Sequence, residues 1–121
     1  MRFPKMLLAL FALAAAACSP LHLGARERAA VVFTNDSAEQ ADVYALVGTS
    51  ETVRIGTVLA ARTETLYLPT SITDQGGQTR IIVRLLAHNV QRATSVLTLR
   101  ATDQVKVRLG ADGRTLIVTP P

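Results

Sequence analysis

One thiol, two imidazoles and nine scattered carboxylates are the side chains of this 121-residue chain best suited to metal binding and to acid–base work near neutral pH. Cys18 stands alone, so no intrachain disulfide can form. His22 and His88 are far apart in sequence, and neither belongs to a His-x-His pair. With no second Cys and no run of carboxylates, no metal-ligand spacing is legible, and no cofactor is expected. His88-Asn89 reads as a turn. Paired-carboxylate catalysis needs two side chains about 5–10 Å apart across a cleft, and the acids here are spaced singly. No nucleophile elbow and no P-loop occurs, and Gly76-Gly77 reads as a flexible turn. The chain is therefore expected not to be an enzyme. The alternative is a periplasmic or secreted hydrolase whose site is assembled from distant residues, His88 with Asp74 or Asp103. Asn35-Asp36-Ser37 has the form of a glycosylation sequon and is read as a chance match.

Arginine is the remaining bias. Arg54, Arg80, Arg84 and Arg108 form the candidate binding face, because guanidinium forks engage phosphates and carboxylates bidentately. The competing reading is that alternating Arg solvates outer sheet faces and blunts edge strands. The formal charge of +4 invites a nucleic-acid reading. Arg2 and Lys5 belong to the first 17 residues, however, and beyond them 11 basic side chains face 9 acidic ones. With no Trp and so few other aromatics for stacking, no nucleic-acid partner is expected.

The setting of Cys18 gives it a role. Met1–Ala17 opens with Arg2 and Lys5, and Met6–Ala17 has no polar residue. A basic start, a short apolar stretch and small residues at the end make a secretory signal segment over residues 1–17. The apolar stretch is shorter than the roughly 20 residues a spanning helix needs. Ala15-Ala16-Ala17-Cys18 resembles the lipobox of bacterial lipoproteins, with Ala15 where that family favours Leu. The resemblance implies lipidation of Cys18, cleavage before it and acylation of the new amino terminus. Ser19 after the Cys implies outer-membrane sorting, with the domain facing the periplasm. Ala15-x-Ala17 also satisfies the small-x-small rule, so cleavage after Ala17 with release of a periplasmic or secreted domain is the alternative. Each buried methylene is worth about 0.8 kcal/mol, so two or three acyl chains hold a domain at a membrane stably. Residues 18–28 then form the lipidated Cys and a tether of at most about 35 Å.

From Ala29 onward, runs of Val, Ile, Leu and Thr are broken by turn residues. Expected strands cover 29–35, 41–47, 52–59, 63–69, 80–87, 93–100, 103–109 and 115–119. The clearest is Asp103–Leu109, with Val105, Val107 and Leu109 on one face and Gln104, Lys106 and Arg108 on the other. Gly110–Gly113 reads as a hairpin turn. Gly56 inside a strand marks a bulge or a close backbone approach. Thr70–Thr79 is long enough to carry the chain between sheets. The spacing predicts an all-β domain over residues 29–121, a small antiparallel β-sandwich of seven or eight strands, immunoglobulin-like or transthyretin-like. Its core is expected to include Val43, Ile55, Leu66, Val83, Leu97 and Val107. The strand runs "RIGTV", "TETLYLP" and "IIVRLLA" are similar to those of small exported bacterial β-sandwich domains of no assigned function. The functional expectation is a lipid-anchored envelope protein, a non-catalytic binding or scaffolding module with an envelope protein as partner.

Overall fold

The alternation at Gln104–Leu109 is realised residue by residue in the computed structural model, which describes residues 28–121. Val105, Val107 and Leu109 are buried, and the intervening side chains are exposed. The signal segment, Cys18 and all of the tether except Arg28 lie outside the described residues.

Ten strands and one short helix make up the domain. In chain order they are β1 (Ala30–Asn35), β2 (Ala41–Val47), β3 (Glu51–Val58), β4 (Arg62–Tyr67), α1 (Thr70–Asp74), β5 (Gln78–Thr79), β6 (Ile81–Leu85), β7 (Val90–Ala93), β8 (Leu97–Thr98), β9 (Gln104–Leu109) and β10 (Leu116–Thr119). The first sheet runs β10-β9-β1-β4 and the second β3-β2-β6-β7, with β5 and β8 forming a two-stranded ribbon. The core lies between the two sheets, around Val31, Phe33, Val43, Val58, Ile81, Val83 and Val107. This is an all-β sandwich. Thr70–Thr79 does carry the chain from the first sheet to the second, through α1 and β5.

Three details differ from the expected pattern. First, the antiparallel sandwich has one parallel ladder, in which β1 pairs with β9 from Ala30 beside Gln104 to Asn35 beside Leu109. Period-two patterning is the same for both ladder types, so only the long-range pairing decides between them. Second, Ile55 is half-buried rather than fully inside. Gly56 pairs with Val43 and Arg54 with Tyr44, which leaves Ile55 as the extra residue of a bulge. Gly56 also serves close approach, since a Cβ there would lie 2.5 Å from Leu66 Cδ2. Third, the run 93–100 is not one strand. β7 ends at Ala93, where Thr94 turns inward and its Oγ1 accepts the Ile81 N–H at 3.0 Å. Leu97 is consequently half-buried, while Leu99 joins the core.

Polar groups stitch the two sheets. Asn35, fully buried at the end of β1, donates through Nδ2 to the carbonyls of Glu39 (2.7 Å) and Val58 (3.0 Å). Its Oδ1 accepts from Ser37 N (3.0 Å) and Ser37 Oγ (2.6 Å). Every donor and acceptor of this amide is used, which is what makes its burial tolerable. The sequon asparagine is thus an internal clamp between β1 and β3.

Candidate binding surfaces

β1 fixes the polarity of the domain. Its first residue lies beside Leu68 and Asp103, with Leu68 N–H donating to Ala29 C=O (2.9 Å) and Ala30 N–H to Asp103 C=O (2.9 Å). Its last residue lies beside Leu109 and Val58. Six residues of strand set these ends about 17 Å apart. The chain enters at the first end, and α1, with Asp74 at its close, follows Leu68 there. At the other end the loops 36–40, 59–61, 86–89 and 110–115 come together.

A cavity of about 430 Å³ opens among those loops, with Glu39, Leu85, His88, Val90, Asp112 and Arg114 in its wall. His88 Nδ1 meets Glu39 Oε1, and Glu39 Oε2 is buried without a partner among the described residues. Asp112 is committed to its own turn. Its Oδ1 accepts from Arg114 N (2.9 Å) and Thr115 N (3.1 Å), and its Oδ2 from Thr115 Oγ1 (2.9 Å). The Arg114 backbone bond, then the two from Thr115, hold its carboxyl below the ordinary aspartate value of 3.8. Ser37 Oγ donates toward Asn35 Oδ1 and the Glu39 carbonyl and makes no bond to His88. The residues proposed for a hydrolase are not gathered. Asp103 and Asp74 sit at the chain-entry end, and His88 sits at the loop end beside Glu39.

The four candidate arginines divide between two sheets. Arg54 lies opposite Tyr44, and Arg84 opposite Asp42, on the outer face of the second sheet. Arg80 shares their parity one step before β6. Arg108 lies on the outer face of the first sheet instead. Arg54 is occupied: its guanidinium donates to Asp42 Oδ1 (3.1 Å) and also meets Thr57 Oγ1. Asp42 is buried and also accepts from Thr57 Oγ1 at 2.8 Å. Arg108 Nε is bound to Asp36 Oδ2 at 2.8 Å. Among the described residues Arg80 and Arg84 have no ion pair, and Arg84 borders a shallow depression of about 150 Å³ with Tyr44 and Ile82. The Arg108–Asp36 pair is exposed on both sides and stabilises by about 1 kcal/mol or less, so its main effect is to occupy Arg108.

A second cavity, of about 310 Å³, runs across the outer face of the first sheet between Thr34, Lys106, Arg108, Ile117 and Thr119. Two of its residues escaped the sequence reading as site candidates. Ile117 is 54% exposed, and Lys106 has no ion pair among the described residues. Glu39 and Arg114 escaped as well, because each sits in a polar stretch that reads only as a turn. Among the described residues there is no group of three or more His, Cys, Asp or Glu placed to hold a metal ion. No helix among them is long and apolar enough to cross a membrane.

Comparison with known proteins adds no relative. No protein family and no curated protein matches this chain.

Proposed function

We propose that this protein is a lipid-anchored module of the bacterial cell envelope, tethered through Cys18 to the outer membrane, that binds or scaffolds another envelope protein without catalysis. One observation carries the reading: the tether joins the sandwich at one end, and the loop cluster with its 430 Å³ cavity lies at the other. A domain held this way presents its loops away from the membrane, to the periplasm. The sandwich between the ends is a rigid spacer, clamped by Asn35 and packed around Phe33. Rigid scaffolds with displayed loops are a common arrangement for recognition. The occupied state of Arg54 and Arg108 moves the binding surface from those arginines to the loops and the open sheet edges.

Two measurements test this. Replacing Cys18 with Ala should abolish palmitate incorporation and move the protein from the membrane fraction to the soluble one. Normal processing without any lipid label would refute the anchor and favour the released form. In-cell photo-crosslinkers at Ala111 or His88 should capture a protein partner that a crosslinker at Arg28 does not. Equal capture from both ends would refute the polarity of presentation.

A further inference from the structure

The four edge strands of the sandwich are not alike. β3 carries Glu51 and Arg54 and is bent by the bulge at Ile55. β4 carries Arg62 and Glu64, and β7 carries Arg92. Charges and bulges of this sort keep an edge from pairing with other strands. β10 reads Leu-Ile-Val-Thr, has no charge and no bulge, and pairs with β9 on one side only. Of the four edges of the two four-stranded sheets it alone carries neither a charge nor a bulge, and Pro120 follows it directly.

Its backbone direction follows from the hairpin. Gly110 N–H donates to Thr115 C=O at 2.8 Å, which makes that pair a hydrogen-bonded one. Pairs alternate along an antiparallel ladder, so Ile117 and Thr119 bond to Arg108 and Lys106. The N–H and C=O groups of Leu116 and Val118 therefore point outward, away from β9. The side chains of these two residues face the core and are only half-buried. A further strand would supply both the missing hydrogen bonds and the missing apolar cover.

Charge selects the occupant. The outward positions of the first sheet, from Thr63, Thr65 and Tyr67 through Val32 and Thr34 to Gln104, Lys106, Arg108, Ile117 and Thr119, hold no carboxylate. Asp36 at the rim is matched to Arg108, which leaves Lys106 unmatched within this face. A second copy of β10 would join two such cationic faces in one sheet and bring no acid to either. An added strand lies about 10 Å from β9, within reach of a long acidic side chain across Ile117 and Thr119. We infer that β10 is a strand-addition site for an extended segment of a partner protein, apolar on its core-facing side and acidic on its outward side. This rests on the reading of the protein as a binding module and names the partner's form. Main-chain bonds would give the affinity and side-chain alternation the selectivity.

The test uses the purified full-length protein and two short synthetic peptides, one alternating Glu and Val, the other Lys and Val. Amide shifts on adding the Glu/Val peptide should be largest at Leu116 and Val118, and the Lys/Val peptide should bind at least about tenfold more weakly. Lys106→Glu should weaken the Glu/Val peptide by a similar factor. Val118→Pro removes an outward N–H without breaking the β9 ladder and should abolish binding; Lys106→Glu carries the test if the proline disrupts the strand. Equal binding of both peptides, shifts centred elsewhere, or no binding of the Glu/Val peptide overturns the inference. So does self-association through the same amides without peptide, which would make the occupant a second copy. In cells, a loop crosslink that persists in Val118→Pro would leave the binding-module reading standing and remove β10 from it.

Discussion

Along one flank of the sandwich, β3 and β4 lie against each other; along the other, β7 and β10 make no comparable contact. On the first flank the chain turns directly from one sheet to the other at Leu59–Ala61, where Ala61 takes a φ of 60°. Leu66 then fills the space that the missing Cβ of Gly56 leaves, and charged residues line both strands. On the second flank the facing strands come from separate hairpins. Leu85 reaches Gly113 at the loop end, and beside that contact lies the 430 Å³ cavity. A covalent corner closes a sandwich wherever it falls. A flank without one stays open unless side chains fill it, and here they do not.

The sharpest way to break this comparison is truncation on each side. Leu66→Ala should cost about 2–5 kcal/mol, as deletion of a buried Leu side chain does. Val118→Ala, on the half-buried open flank, should cost about 1 kcal/mol. Urea unfolding of the two variants measures both, and equal losses would mean that the second flank is as tightly packed as the first. Next in size is Asn35→Ala. It leaves the Val58 and Glu39 carbonyls without the amide that serves them, at roughly 2–3 kcal/mol for buried groups left unsatisfied. Hydrogen exchange should then quicken first in β1 and β3 and leave the β9–β10 hairpin protected.

The smallest effect sharpens the open side. Asp112 has its folded value lowered by the Arg114 and Thr115 amides. Its contribution is therefore present above the unfolded value and is lost as pH falls through the lowered folded one. Amide resonances of Arg114 and Thr115 should titrate together below about pH 4. An Asp112→Asn variant should remove that titration.

How much of this was legible in the sequence depends on what each element buries. Gln104–Leu109 has a buried and an exposed face, so alternation reveals its span to within a residue. Ala41–Val47 is delimited by Gly48, whose φ of +68° is one that glycine adopts most readily. β7 was invisible because Val-Gln-Arg-Ala presents one apolar residue to the core and the rest to solvent. Gly56 announced an irregularity, yet which neighbour would fill its space depended on Leu66 from the next strand. The site was less legible than the fold. Single arginines could be named, but their partners Asp42 and Asp36 are set by register and turn geometry. That β10 is an edge follows from the β1–β9 pairing, which no local pattern encodes.

The same parallel pairing governs the order in which the fold can be completed. β1 is among the first parts of the domain to be synthesised, and its neighbour β9 is almost the last. Until Gln104–Leu109 is available, Val31 and Phe33 have β4 on one side and nothing on the other. Closing so long a loop before any reward makes folding slow and concerted. A chain emerging amino terminus first can assemble the second sheet without β9, but it cannot join β1 to β10 in the first until Gln104–Leu109 has arrived.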